Sequence, residues 1–283
     1  MKEFIKTVVG KIGAGFVSLL SRSQVGRFLQ NEMVKELMLV QATVHHNGCS
    51  LNFSAPNMLN YFRADSFSTK EPETLEWIDR MPKGSIVWDI GANVGLYSCY
   101  AAKHRNCKVY AFEPSVFNLE LLARNIFING LVDNITIIPL PLSDKLRSSS
   151  LNMSSTDWGG ALSTFNESYG HDGKELDKIF GFSTIGLSME DAVKTLKIPL
   201  PDYIKMDVDG IEHLILKGGN HVLLNIKGIL VEVNDDYIEQ EHNVTKYLNE
   251  AGLILQEKRH SEMFTDSDLF SNSFNQIWLR KEH

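Results

Sequence analysis

The alternation of short apolar runs with helical segments, which begins at Ser85, constrains the fold of this chain most strongly. Strand-like runs separated by helices are typical of a parallel sheet that helices cover on both faces. We therefore expect an α/β fold with a mostly parallel sheet of seven strands. The predicted strands cover residues 86–90, 108–113, 135–140, 202–207, 228–234, 253–258 and 276–280.

Two regions depart from this alternation. Residues 1–69 predict an N-terminal appendage, which is helical to about Gln41 and then forms a β-hairpin around the Asn47-Gly48 turn, followed by a loop over 61–69. The main domain is expected over 70–283. An insert at about 144–184 is rich in Ser, Gly and Asn. Such a long irregular stretch indicates either a lid over the substrate or a passive surface excursion.

The N-terminal segment is apolar, but Lys6 and Lys11 interrupt it, and it is too short to span a bilayer. Two interpretations are open: an amphipathic helix packed on the body, or one that makes peripheral contact with a membrane surface. Elsewhere no apolar run approaches the length of a membrane span, so a cytoplasmic protein is expected.

Net charge narrows the class of partner, and cysteine content indicates the redox compartment. The net charge of −7 argues against a nucleic-acid partner, because proteins that bind nucleic acid usually carry a basic surface patch. The three cysteines, Cys49, Cys99 and Cys107, are odd in number and lack metal-ligand spacing, which favours inert thiols in a reducing compartment.

A glycine-rich turn follows the first strand of the alternating region and reads Asp89-Ile90-Gly91-Ala92-Asn93-Val94-Gly95. Glycines let a backbone turn tightly and approach a ligand closely. The spacing from Gly91 to Gly95 differs from the dinucleotide pattern G-x-G-x-x-G, so no pyrophosphate cradle is implied. A compact cofactor with an amino-acid end fits better, with Asp89 setting the loop or meeting the ammonium group and Asn93 offering its amide.

Acids at the next two strand ends extend this site. Glu113, at the end of the second strand, is placed to accept the hydroxyls of a ribose. Ser143 and Asp144 follow the third strand, where an acid can accept an adenine amino group. The competing interpretations are an ordinary helix-capping role for Glu113 and a loop-capping role for Asp144.

Four successive blocks, taken together, resemble the motifs of FkbM-type methyltransferases, over roughly residues 70 to 260. They are Asp89–Gly95, Ala111–Pro114, Leu140–Asp144 and Ile204–Glu212. The resemblance implies a class I, Rossmann-like sheet with an antiparallel seventh strand. It also implies S-adenosylmethionine as donor and a hydroxyl acceptor, often on a sugar or a polyketide, and it adds Pro114 to the cofactor site. Family members often carry Glu where this chain has Asp209.

Acids after the fourth and fifth strands are the candidates for the chemistry, because an alcohol needs help to lose its proton. One interpretation is a Mg²⁺ site at Asp207 with Asn234 or Asp235, since this ion prefers oxygen ligands. The other is metal-free general base catalysis. Its candidate bases are Asp209, Glu212 and His213. Asp207 is also counted among the candidate catalytic acids. Structural roles for most of these acids are the third interpretation.

Other side chains near the expected site have less specific signals. We predict that Lys205 forms an ion pair with Asp207 or Glu232. We expect four side chains either to line an acceptor pocket or to take part only in ordinary packing: Tyr61, Arg63, Trp158 and Tyr169.

The favoured function is O-methyl transfer to a small molecule or glycan. A protein or other N-methyltransferase is an alternative, although the Asn/Asp-Pro-Pro-Tyr/Phe motif of base-amino methylases is missing at Asp207–Gly210. A nicotinamide-dependent oxidoreductase is disfavoured by the glycine spacing. A non-catalytic S-adenosylmethionine-binding module is the remaining alternative. The acceptor and the oligomeric state stay open.

Overall fold

The computed structural model describes residues 2–260 and 271–281. Its strands are β1 (Gln41–His46), β2 (Cys49–Ser54), β3 (Ile86–Ile90), β4 (Lys108–Phe112), β5 (Ile135–Ile138), β6 (Arg147–Met153), β7 (Ser163–Phe165), β8 (Phe180–Gly186), β9 (Tyr203–Met206), β10 (Gly228–Asn234), β11 (Leu253–Arg259) and β12 (Ser273–Arg280). Its helices are α1 (Lys2–Leu20), α2 (Gln24–Leu39), α3 (Met58–Asp65), α4 (Phe67–Lys70), α5 (Pro72–Arg80), α6 (Leu96–Arg105), α7 (Val116–Ile128), α8 (Met189–Leu196), α9 (Glu212–Lys217), α10 (Asn220–Leu223) and α11 (Ile238–Glu250).

The main sheet has seven strands in the order β11-β12-β10-β9-β3-β4-β5. β12 pairs antiparallel with β10 and with β11, while the other neighbours pair parallel. The apolar side chains of the central strands are fully buried, as in Trp88, Ile204 and Val231, because helices cover both faces. The predicted α/β fold, its seven strands and the antiparallel last strand are confirmed.

Strand order sets the position of the site. From β3 the chain winds outward through β4 and β5, and it then returns to β9 on the other side of β3. The carboxyl ends of β3 and β9 therefore flank the point where the winding direction reverses. In open α/β sheets, the crevice outside such a point is where ligands bind.

The region before the main sheet divides into two parts. The β1–β2 hairpin turns at Asn47 and Gly48, which both have positive φ as the predicted turn requires. Its apolar face, with Leu51 and Phe53, shares one buried cluster with Tyr100 of α6. The hairpin is thus part of the core of the body, and the expected domain boundary at residue 70 stays a prediction.

The loop predicted over 61–69 is wrong, because α3 and α4 occupy these residues. The side chain of Asn57 caps α3 by accepting the backbone N–H of Asn60 at 2.8 Å, and Phe67 anchors α4 in the core. The insert also has more order than its composition indicates. β6, β7 and β8 form a three-stranded antiparallel sheet, with Leu151 and Phe165 buried beneath it.

Helices α1 and α2 form a hairpin of their own. Every described side chain of α1 from Phe4 to Leu19 is exposed, so the interpretation in which this helix packs on the body is wrong. Within residues 2–260 and 271–281, no helix is both long and apolar enough to cross a membrane.

Candidate active site

The glycine-rich turn after β3 has an unusual backbone. Gly91, Asn93 and Gly95 all have positive φ, at +84°, +51° and +82°, a conformation that favours glycine and tolerates asparagine. A Cβ atom at Gly91 would lie 1.8 Å from the carbonyl oxygen of Asp207. Only glycine fits there, because the turn is pressed against the end of β9.

Asp89 lies on β3, directly before this turn. It is buried, and one carboxylate oxygen accepts the hydroxyl of Ser98 at 2.5 Å. The other oxygen, Oδ1, has no hydrogen-bond partner among the described residues. Burial raises the pKa of Asp89, while the charge of Lys205 opposes that rise. A buried acceptor without a partner is costly. Asp89 lines neither of the two cavities described below, so its predicted contact with an ammonium group stays a prediction.

Glu113 lies at the end of β4, as predicted, and it is buried. Its two oxygens accept the backbone N–H groups of Asn93 and Ser115, each at 2.8 Å. Burial raises its pKa to about 7, and these two hydrogen bonds limit the rise. A hydrogen bond from the side chain of Asn118 also lowers this pKa. The acceptor capacity that is left on the carboxylate can receive a hydroxyl group.

A small cavity of about 60 Å³ adjoins Glu113. Its apolar walls come from the ends of β4 and β5, the insert and α9, and they include Phe112, Leu140, Leu142 and Phe165. A slot with apolar walls and a carboxylate at one end matches a planar base attached to a ribose. Pro114 also lines this cavity.

Ser143 and Asp144 lie beside the small cavity, but they are not among its lining residues. The carboxylate of Asp144 binds Arg147 and accepts the hydroxyl of Ser143 at 3.3 Å. The backbone N–H of Ser143 donates to Leu187. The adenine role of Asp144 therefore stays a prediction, and the structure gives this residue a second role, which is to anchor the start of the insert.

A larger cleft of about 440 Å³ opens on the other side of the glycine-rich turn. It shares with the small cavity Gly91, Asn93, Gly160, Ala161, Asp207 and Asp209. Its other charged walls come from α3, α4 and the strand ends, and they are Arg63, Lys70, Glu71, Lys205, Glu232 and Arg259. The two cavities thus share walls that include Asp207 and Asp209, and the larger one also carries most of the charged side chains.

The centre of the cleft is an ion-pair network. Lys205 is buried and lies 3.3 Å from Asp207, which confirms one of its two predicted partners. Burial opposes its charge, but Asp207, Asp89 and Glu71 together hold the pKa of Lys205 above its usual value. Glu71 pairs with Lys70 at 2.8 Å. Despite burial, Lys70 and Lys205 lower the pKa of Glu71 to about 2.

Asp209 connects the sheet to the insert. One of its oxygens accepts the backbone N–H groups of Leu162 and Ser163, at 2.8 and 3.1 Å. Burial and the nearby charge of Asp207 raise the pKa of Asp209 to about 6. This carboxylate lines both cavities, and its pKa lies close to neutral pH.

Glu212 lies behind the site and is not among the lining residues of either cavity. Its carboxylate accepts the backbone N–H groups of Val208 and Gly210 and the side-chain amide of Gln240. Burial raises its pKa to about 7. The contacts hold the turn that carries Asp207 and Asp209, while a catalytic role for Glu212 stays a prediction.

The sequence pointed to Glu232 only as a strand-end acid and as a possible ion-pair partner of Lys205. It lies on β10 one residue beyond the Val231–Met206 register pair, which places it beside Asp207, and it lines the cleft. Burial and the charges of Asp207 and Glu71 hold its pKa well above the usual value. An acid in the otherwise apolar run 228–233 was the signal that could have identified it.

The three predicted metal ligands have separate partners. Asp207 binds Lys205, and Asp235 binds Lys258 at 2.6 Å. The side chain of Asn234 accepts the backbone N–H of Asp236 and donates to Ser273. In the part of the chain that the structure describes, no group of three or more His, Cys, Asp or Glu side chains is arranged to hold a metal ion.

The Trp158-Gly159-Gly160 turn of the insert lies over the glycine-rich turn. Arg63 donates to the carbonyl of Gly159 at 3.0 and 2.6 Å. The carbonyl of Gly160 accepts the side-chain amides of Asn93 and Asn118. Arg63 is thus the one member of the predicted acceptor pocket that lines the larger cleft among the described residues. The ring of Tyr169 instead packs against Tyr237.

Comparisons with known proteins agree with this geometry. Residues 89–256 match the model of the methyltransferase FkbM domain. The hexuronic acid methyltransferase AglP of Haloferax volcanii is 25% identical over 208 residues, which cover 73% of this chain and 79% of that protein. The methyltransferase sdnD of Sordaria araneosa is 26% identical over 162 residues, or 50% of this chain and 62% of that protein.

Among solved structures, the precorrin-6y C5,15-methyltransferase of Geobacter metallireducens superposes with a TM-score of 0.44 at 13% identity, over 75% of this chain and 87% of that one. The family match spans more than half of the chain and contains the glycine-rich turn, Glu113 and the Asp207–Glu212 segment. The chain therefore belongs to the FkbM family of S-adenosylmethionine-dependent methyltransferases.

Proposed function

We propose that this protein transfers the methyl group of S-adenosylmethionine to a hydroxyl group of a small molecule or glycan. The observation that carries the proposal is that the carboxylates of Asp207 and Asp209 line both cavities. Carboxylates therefore stand where a donor in the small cavity and an acceptor in the larger cleft would meet. The similarity to a hexuronic acid methyltransferase supports a sugar-like acceptor.

The residues of the donor site fit S-adenosylmethionine. Glu113 keeps acceptor capacity for a ribose hydroxyl, and the apolar slot beside it suits adenine. The buried, unpartnered Oδ1 of Asp89 adds negative charge behind the glycine-rich turn, which favours the ammonium group of the amino-acid end. When bound, the cofactor supplies a methyl group activated by a sulfonium.

The acceptor site carries several charged side chains among its apolar walls, which suits a polyhydroxyl molecule. Its charged walls can donate and accept hydrogen bonds, and Lys205 holds the carboxylate of Asp207 in one orientation. Asp209 is the general base of the proposal. It is mostly ionised at neutral pH, since its pKa is about 6, and it takes the proton of the attacking hydroxyl. Glu212 acts as a positioning residue through the backbone N–H groups that it accepts.

A Mg²⁺ ion bound at Asp207, with Asn234 or Asp235, is the competing route to an activated hydroxyl. The ion pairs of Asp207 and Asp235 with lysines support the metal-free route, because each lysine already neutralises a carboxylate that the metal would need. Exhaustive chelation separates the two routes: activity persists on the metal-free route and is lost on the metal-dependent one.

The test is methyl transfer from labelled S-adenosylmethionine to a hexuronic acid glycoside, compared with an amino sugar of the same size. We expect an O-methyl product, and Asp209→Asn is expected to lower kcat by roughly 10²–10⁴-fold while S-adenosylhomocysteine affinity is kept. At saturating S-adenosylmethionine, the wild-type kcat/KM for the acceptor should rise with pH through about 6 and then level, because the base must be ionised. In Asp209→Asn, kcat/KM should not show this rise with pH.

Asp172→Asn is the matched control, because Asp172 pairs with Lys174 outside both cavities. It should leave kcat unchanged. Full activity in Asp209→Asn would remove Asp209 from the base role, and transfer to amines alone would contradict the hydroxyl acceptor.

A further inference from the structure

Helix α1 has an apolar arc that no described part of the chain covers. At 100° per residue, eight of its nine large apolar side chains occupy an arc of about 160°, and Val17 lies about 60° beyond it. The eight side chains are Phe4, Ile5, Val8, Val9, Ile12, Phe16, Leu19 and Leu20. Phe4 is 74% exposed, Ile12 67% and Phe16 54%. Small residues such as Gly10, Ala14 and Ser18 lie on the opposite side of the helix.

Charge distinguishes this end of the molecule from the rest. Residues 1–31 contain five basic side chains and one acidic one, a net charge of +4. Because the whole chain carries −7, the remaining residues carry −11. The helical step places Lys11 about 20° beyond one edge of the apolar arc.

An apolar arc with a lysine at its edge, in the basic end of an acidic chain, is the pattern of a helix that lies in the plane of a membrane interface. No described helix can span a bilayer, so the contact is with its surface. The positive end attracts anionic lipid headgroups, and the acidic body is repelled by them, which orients the molecule. α2 continues the surface with Val25 and Phe28, which are 72% and 63% exposed.

We propose that the α1–α2 hairpin docks this protein on a bilayer surface that contains anionic lipids. The apolar arc of α1 enters the interface, while the site between β3 and β9 stays on the aqueous side. This proposal does not depend on the methyl acceptor, since the hairpin shares no residue with either cavity.

Co-sedimentation of the full chain with vesicles tests the proposal. One set contains phosphatidylcholine alone and the other roughly one quarter phosphatidylglycerol. We expect binding to the anionic vesicles to be at least about tenfold stronger and to weaken as salt is raised. The double variant Ile12→Asp, Phe16→Asp should lose binding by on the order of a hundredfold, because two apolar side chains no longer enter the interface.

The double variant Ala14→Asp, Ser18→Asp is the matched control. It changes the charge by the same amount on the opposite side of the same helix, so it should keep most of the binding. An unchanged melting temperature in both variants shows that the body is folded, since α1 lies outside both buried clusters.

Three results would overturn the proposal: no binding of the wild-type chain to anionic vesicles, equal binding by the two double variants, or equal binding to both vesicle types. If the chain instead self-associates in sedimentation experiments, and Ile12→Asp, Phe16→Asp abolishes this without any vesicle binding, the arc binds a second copy of the chain.

Discussion

Glu113 shows how one buried side chain can be both structural and functional. Its hydrogen bonds to Asn93 and Ser115 join the glycine-rich turn to the end of β4. Its remaining acceptor positions face the small cavity. Since burial raises its pKa to about 7, the protein without cofactor binds a proton there over much of the physiological range.

This protonation predicts a pH-dependent donor affinity. Ribose hydroxyls are best accepted by the ionised carboxylate, so below about pH 7 a proton must leave before the cofactor binds fully. Affinity for S-adenosylhomocysteine should therefore rise about tenfold between about pH 6 and pH 8, as measured by calorimetry. Glu113→Gln should bind substantially more weakly and without this pH dependence.

Glu120→Gln is the control, because Glu120 pairs with Arg124 on α7 outside both cavities. It should retain the wild-type affinity and pH profile. A pH-independent affinity in the wild-type protein would contradict the ribose role of Glu113.

The sequence predicted Asp89, Gly91 and Glu113 because each lies at a strand end with a recognisable spacing. It did not point to Glu71, and it named Glu232 only as a possible partner of Lys205. Glu71 is held ionised by its neighbour Lys70 and also by Lys205, which lies on β9 and far away in the chain. Such contacts become visible only when the fold brings distant elements together.

At the scale of elements, the insert is the segment whose secondary structure was not predicted from its composition. Its Ser, Gly and Asn content indicated an irregular excursion, yet β6, β7 and β8 pair into a sheet with a buried apolar side. Alternation of burial along β6 buries Leu151 and Met153, while polar residues face outward. The strands are short and polar on one face, so periodicity alone did not detect them.

Arg63 of α3 is expected to hold the insert closed over the site. Hydrogen bonds from a charged donor stabilise by about 1.5–3 kcal/mol, and Arg63 makes two to Gly159. Arg63→Ala should raise hydrogen exchange at residues 159–162 and raise the KM of the acceptor by roughly tenfold. Arg124→Ala, which removes an exposed ion pair with Glu120, is the control and should change neither. Unaltered exchange in Arg63→Ala would show that other contacts hold the insert.

At the scale of the whole molecule, strand order decides which residues can cooperate. The order β10-β9-β3-β4 brings together side chains that lie more than a hundred residues apart, such as Asp89 and Lys205. Helix and strand alternation was sufficient to predict this sheet. The position of α1 and α2 was not predictable in the same way, because an amphipathic helix can pack on its own body or on an external surface.

The central claim is that the crevice between β3 and β9 holds S-adenosylmethionine. Calorimetric titration of the purified full chain with S-adenosylhomocysteine and, separately, with NAD tests it most directly. The spacing from Gly91 to Gly95 and the free acceptors of Asp89 and Glu113 predict stoichiometric binding of S-adenosylhomocysteine and no binding of NAD. Binding of NAD without binding of S-adenosylhomocysteine would contradict the account.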